Sequence, residues 1–142
     1  MSRLLVDTNV LLRAIDASHP ARLIAERSLR PTASSGVRLV YCNQTFAEFL
    51  QVATRSRNGY QLPPAAAFAA FDRFAANMTW LPEPQSVYDK LRELYEAGLA
   101  RPGANVHDAK LAAFGLLHSL DGILTFNDRD FRRSGLPVVT PA

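Results

Sequence analysis

Leu4-Leu5-Val6-Asp7-Thr8-Asn9-Val10-Leu11-Leu12-Arg13-Ala14-Ile15 is a short apolar run that stops at an acid, a hydroxyl and an amide and then resumes at a different spacing. The unbroken Leu4 to Val6 run has the character of a buried strand. Val10, Leu11, Ala14 and Ile15 recur three and four residues apart, as one face of a helix does. The stretch therefore reads as strand, polar turn, helix, and the same alternation recurs along the chain.

Ser18 ahead of His19-Pro20 is placed to cap a second helix carrying Leu23, Ile24 and Ala25, ended by Pro31 and Ser34-Ser35-Gly36. Val37 to Tyr41 reads as a second buried strand. Asn43 is placed to cap a third helix with Phe46, Phe49, Leu50 and Ala53 as its apolar stripe, stopped by Asn58-Gly59. Pro63-Pro64 opens a fourth helix with Phe68, Phe71, Ala75 and Met78 on one side. Thr79-Trp80-Leu81 comes next as a third strand, and Pro82 and Pro84 separate it from a helix showing Val87, Leu91, Leu94 and Tyr95. Gly98 and the Arg101-Pro102-Gly103 turn end that helix, and the next runs from about Val106 to Leu117. Gly122 to Thr125 makes a fourth strand, succeeded by a loop rich in acids and amides, and Val138-Val139 makes a short last strand. Strands separated by helices predict an α/β fold, a parallel sheet covered on both faces.

With 142 residues, 48% of them apolar, the chain can bury one core but has no room for two, so a single domain over 1–142 is expected. No run of about 18 apolar residues occurs, since even the Pro63 to Ala76 stretch is broken by Asp72 and Arg73, and no membrane span is expected. No apolar core of signal-peptide length follows Arg3, so a cytoplasmic location is expected. Cys42 is the only cysteine, which excludes an internal disulfide and a thiolate zinc site. The formal charge is +3, carried almost wholly by arginine, with Lys90 and Lys110 the only lysines. Arginine suits phosphate because its planar fork donates two parallel hydrogen bonds. A modest positive excess is common among proteins that never meet nucleic acid, so the acids decide the reading.

In open parallel sheets, ligands bind beyond the carboxyl ends of the strands, where the strand order reverses. Asp7 ends the first strand; Asn127, Asp128 and Asp130 come after the fourth; Asp108 lies in the first turn of the helix leading into that strand; Glu48 lies early in the helix after the second, between Phe46 and Phe49. Each has a plain alternative: an Asx turn for Asp7, a dipole-favoured helix start for Asp108, solvated loop acids for Asp128 and Asp130. Together they bring carboxylates from separate segments to one edge. Gathered carboxylates repel unless a cation or a retained proton neutralises them. Magnesium or manganese answers this, accepting carboxylate oxygens and water with no need of His or Cys. His107 points about 100° away from Asp108 on a helix and is left out of the set. His19 and His118 have no partner at ligand spacing.

Leu5-Val6-Asp7-Thr8-Asn9-Val10-Leu11-Leu12, Phe46-Ala47-Glu48-Phe49, Val106-His107-Asp108-Ala109-Lys110-Leu111-Ala112-Ala113 and Thr125-Phe126-Asn127-Asp128-Arg129-Asp130-Phe131 resemble, in order, the motifs of PIN-domain nucleases, above all the VapC-type toxins of toxin–antitoxin pairs. The resemblance implies a PIN-like three-layer α/β/α fold with about five parallel strands in the order 3-2-1-4-5. It implies an endoribonuclease using Mg2+, or Mn2+ in its place, on single-stranded or looped RNA. Asp7 and Asp108 match the positions that hold the metal, Glu48 matches the third acid, and Thr8 and Asn9 match the residues that brace the first motif. In the last motif many relatives have Asp where this chain has Asn127, and others pair Asn there with an Asp before the Phe; Asp128 and Asp130 both stand as the completing acid. Thr125 is placed to bond an acid or a phosphate, and Arg129, Arg132 and Arg133 either contact flanking phosphates or form a solvated basic turn.

The resemblance also implies a cognate antitoxin whose C-terminal segment brings an Arg or Lys among the acids and docks apolar residues near Phe68 and Phe71. A homodimer covering the apolar helix face is expected as well. Three other readings compete. Asp121-Gly122-Ile123-Leu124-Thr125 is similar to part of the signature of aspartyl-phosphate phosphatases, but Asp7 lacks a second Asp two positions on and no Lys follows Lys110. A non-catalytic PIN scaffold is opposed by the intact Asp7, Glu48 and Asp108. A free-standing PIN enzyme of housekeeping RNA processing shares the chemistry and differs only in context.

Overall fold

Neighbouring residues of a strand face opposite sides of a sheet, and the central strand of this protein uses both sides. In a computed structural model describing residues 1–30 and 33–142, Leu4 and Val6 enter one core while Leu5 enters the other. Leu39 and Val40 divide in the same way, as do Leu124 and Ile123. The elements are β1 (Ser2–Val6), α1 (Thr8–Ile15), α2 (Arg22–Ser28), β2 (Val37–Tyr41), α3 (Asn43–Thr54), α4 (Pro64–Ala75), β3 (Met78–Trp80), α5 (Ser86–Glu96), α6 (Val106–Leu117), β4 (Gly122–Leu124), α7 (Asp128–Phe131) and β5 (Val138–Val139).

The strands form one five-stranded sheet in the order β3-β2-β1-β4-β5, with every neighbouring pair parallel. The expected PIN-like α/β/α arrangement is thus present. Helices α1 to α4 cover one face, where Phe49 and Phe71 pack with rings 5.6 Å apart. Helices α5 and α6 cover the other, where Phe114 and Phe131 are fully buried. The chain builds outward from β1 to β3 and then crosses to β4 on the far side of β1. The strand order therefore reverses between β1 and β4, the position beyond whose carboxyl ends open parallel sheets bind ligands.

Local capping differs from the sequence expectation in several places. Asn43 does not cap α3: Cys42 precedes the helix in extended conformation and exchanges bonds with Thr45, while Asn43 Oδ1 accepts from Trp80 Nε1 at 2.8 Å. Ser18 bonds Asp16 instead of capping α2, which starts later, and His19 Nδ1 accepts from the Ala21 amide at 3.0 Å. Met78 belongs to β3, and Phe68 is 55% exposed while Phe71 on the same helix is buried. The acid-rich loop after β4 is wound into α7 and a succeeding 3-10 turn, Arg132–Ser134. The helix-ending role given to Pro31 lies outside the described residues. Cys42 is buried, and among the described residues no helix is long and apolar enough to cross a membrane.

Candidate active site

Asp7 comes immediately after β1 and precedes α1, so its backbone is held from both sides: its N–H donates to Leu124 O at 2.9 Å, and its carbonyl accepts from the Val10 amide at 3.0 Å. Its side chain does not cap its own helix. Instead Asp7 Oδ2 accepts from Thr125 Oγ1 at 2.7 Å across the strand reversal. Thr125 is fully buried and is a hub. Its hydroxyl oxygen also accepts from Asn9 Nδ2 at 3.3 Å and from the Asn127 amide at 2.9 Å. Asn9 Oδ1 in turn accepts from the Phe126 amide at 3.4 Å, and Thr8 donates to the Thr45 carbonyl at 3.3 Å. Thr8 and Asn9 thus tie α1 to the start of α3 and to the segment after β4.

Burial pushes the Asp7 carboxyl above its ordinary value, the Thr125 hydrogen bond pulls it back, and the charge of Glu48 adds to the rise. Asp108 stands in the first turn of α6, whose N-terminus is capped by Asn105 Oδ1 accepting from the His107 amide at 2.9 Å. Its pKa is raised from 3.8 to about 7, first by burial, then by a hydrogen bond with Asp130 and by the charges of Asp7, Asp130 and Glu48. Asp108 therefore feels the charges of Asp7, Glu48 and Asp130, and Asp7 feels that of Glu48, although these acids come from four separate segments.

The two acids of the last motif separate. Asp130 meets Asp108 and also accepts from Asn127 Nδ2, while the buried Phe131 beside it anchors α7. Asp128 is taken by Arg132 in an ion pair on the exposed side of α7. His107 is exposed. His118 packs against Phe114 with ring centroids 4.5 Å apart and tilted at 57°, and bonds Pro82 O.

Gln44 is the residue that sequence reasoning missed. Its Nε2 donates to Glu48 Oε1 at 2.7 Å and to the His107 carbonyl at 3.1 Å, so one side chain holds Glu48 and links α3 to the turn that carries Asp108. Its position four residues before Glu48 on a helix was the available signal. Grooves of about 530 Å³ flank the acids: one is bordered by Gln44, Glu48, His107 and Lys110, the other by Asp108, Asp130 and the arginines of the α5–α6 turn and α7. Among the described residues, no three Asp, Glu, His or Cys side chains already close on a single point as a cation's ligands. The donor set is all carboxylate oxygen and carries uncompensated charge. It fits a hard divalent ion of the magnesium type, which binds one or two carboxylates and keeps much of its water.

Asp121, the acid that suggested a phosphatase, lies at the other end of the sheet. It precedes β4 and its Oδ2 accepts from the Arg3 amide at 2.7 Å.

The fold recurs in solved structures. Over 100% of both chains, this protein superimposes with a TM-score of 0.70 and 19% identity on a chain from a DNA-bound VapBC of Salmonella typhimurium. A chain of VapBC-1 from nontypeable Haemophilus influenzae gives 0.67 with 22% identity over 97% of each chain. VapC20 of Mycobacterium tuberculosis, described as a toxin that cleaves the sarcin–ricin loop, gives 0.65 with 16% identity over 94% of this chain and 96% of its own. No curated protein matches the chain. The family model described as PIN domain matches residues 4–135, which takes in the last three residues of β1, all the acids just described and the turn after α7, and the chain belongs to the PIN domain family.

Proposed function

We propose that this PIN domain is a metal-dependent endoribonuclease that hydrolyses RNA phosphodiester bonds in the cytoplasm as the toxin of a toxin–antitoxin pair. The observation that carries the reading is the electrostatic coupling of Asp108 to Asp7, Glu48 and Asp130, which raises its carboxyl to about 7 together with burial, while Thr125 ties Asp7 across the strand reversal. Such an arrangement costs stability and is explained by a ligand that needs it.

Asp7 and Asp108 would hold Mg2+ or Mn2+. The bound ion supplies Lewis-acid polarisation of the scissile phosphate and a water of lowered pKa. Thr125 fixes the Asp7 carboxyl and, by donating to it, favours its ionised form. Gln44 fixes Glu48, whose second oxygen remains to orient the attacking water. Asp130 lies beside Asp108, held by Asn127 and by the anchored Phe131, and is placed to complete the acidic set. Asp128, committed to Arg132, serves the shape of α7 and not the chemistry.

The toxin role is supported by the VapBC structures and the toxin–antitoxin complex of Klebsiella pneumoniae among the similar structures. The partner would place a cationic side chain among the acids, neutralising the charge that otherwise calls for a metal. Phe68, exposed at 55% beside buried Phe71, supports an apolar contact on α4, for the antitoxin or for a second copy of the chain in a homodimer. Expression of the chain alone in a bacterium should arrest growth, and Asp7→Asn should remove the arrest. A wild-type chain harmless at high expression would refute the toxin role and leave RNA processing as the use of the same site.

A further inference from the structure

Three arginines from separate segments border the groove on the α5–α6–α7 side of the acids. Arg101 comes from the turn between α5 and α6, Arg129 from α7 and Arg133 from the 3-10 turn after it. All three are exposed, and among the described residues none makes an ion pair or a side-chain hydrogen bond. Their neighbour Arg132 is different, being occupied by Asp128. The half-buried Tyr95 adds an aromatic ring to the lining, which also includes Asp108 and Asp130. The volume, about 530 Å³, falls in the range of about 300–1,000 Å³ that takes a ligand the size of a nucleotide unit.

The geometry points to this groove as the track for the single-stranded RNA backbone on one side of the scissile phosphate, with Arg101, Arg129 and Arg133 on its phosphates and Tyr95 available to an unstacked base. The inference rests on the nuclease reading above and adds the strand's path. A guanidinium fork matches a phosphate, and guanidinium groups left free around a concavity are poised for one. An aromatic ring beside the arginines favours unpaired bases, since a duplex cannot offer its base faces. A carboxylate-rich peptide fits less well, because it would run acids against Asp108 and Asp130. An RNA strand has to bring a phosphate to those same acids.

The test uses the full chain carrying Asp7→Asn, so that RNA is bound without being cut, and measures fluorescence anisotropy of a short unstructured RNA over a salt series. Adding Arg101→Gln, Arg129→Gln and Arg133→Gln together should weaken binding at least tenfold and lower the log–log salt slope by about 2, at roughly 0.7 per lost single-strand phosphate contact. Arg27→Gln, Arg38→Gln and Arg57→Gln, which remove the same charge from exposed positions elsewhere, should leave the slope nearly unchanged. Equal weakening by both triples, or duplex RNA binding as tightly as the single strand, would overturn the proposal. So would unchanged RNA binding combined with lost antitoxin binding, which would give the groove to the protein partner. Each single arginine variant is measured as well, so that misfolding of the triple variant cannot decide the outcome. If wild-type protein cuts RNA while the groove triple binds and cuts equally well, the track alone fails; if wild-type protein neither binds nor cuts RNA, the nuclease reading fails with it.

Discussion

Thr125 Oγ1 donates to Asp7 Oδ2 at 2.7 Å across the junction where the strand order reverses, joining the end of β4 to the end of β1. The hydroxyl is fully buried and accepts from Asn9 and Asn127 while it donates to Asp7, so it orients the acid and the last motif together. Thr125→Val keeps the shape and removes the donor. A hydrogen bond to a charged group contributes about 1.5–3 kcal/mol, so cleavage should fall roughly tenfold to a hundredfold, with Thr125→Ser retaining most of it. Rates for the two variants under saturating metal check this.

The raised pKa of Asp108 makes a signed statement about stability in the absence of metal. The folded protein holds this proton up to about pH 7, whereas the group's ordinary value is 3.8. The stabilisation that Asp108 contributes is therefore complete below its ordinary value and is lost as pH rises through about 7. Asp108→Asn, neutral throughout, should be more stable than wild type in urea at about pH 8 with EDTA, and the gap should shrink as pH falls towards about 4. Saturating magnesium or manganese should raise the wild-type melting midpoint and leave the variant nearly unmoved.

Asp130 and Asp128 lie two positions apart on one short helix, yet Asp130 meets Asp108 while Asp128 pairs with exposed Arg132. Asp130→Asn should cost at least tenfold in cleavage. Asp128→Asn should change it by less than about threefold, because an exposed ion pair contributes only about 0–1 kcal/mol. Cleavage rates in the opposite order would assign the completing role to Asp128.

Gln44 offers a separation of stability from activity. Its Nε2 holds Glu48 and the His107 carbonyl, but its Oε1 is buried with no hydrogen-bond partner among the described residues. An unsatisfied buried acceptor costs about 1–3 kcal/mol, which offsets much of what the two donated bonds contribute. Gln44→Leu should therefore leave the urea midpoint close to wild type while lowering kcat about tenfold with little change in KM. A parallel loss of stability and activity would make Gln44 a packing residue only.

Much of this was legible in the chain because the signals were local and strong. The Leu4 to Ile15 stretch, the Val37 to Tyr41 run and the Val106 to Leu117 periodicity each specify an element by apolar spacing, and the strand order places their acids at one edge. What was not legible depends on partners distant in sequence. Asn43 looks like a helix cap until Trp80 takes its side chain, leaving Cys42 and Thr45 to begin the helix. Phe68 and Phe71 share the same helical pattern, and only the packing of α4 on α3 decides that Phe71 is buried. The roles of Asp128 and Asp130 turn on the winding of α7, which is only four residues long and too short to show a period.

The most direct measurement of the central claim is cleavage of a looped RNA by purified protein, with intact and cut strands resolved on a denaturing gel. The account predicts endonucleolytic products with magnesium or manganese, none in EDTA, and none for Asp7→Asn or Asp108→Asn, both of which should remain folded. Cleavage that persists in EDTA, or that survives either substitution at the wild-type rate, would contradict it.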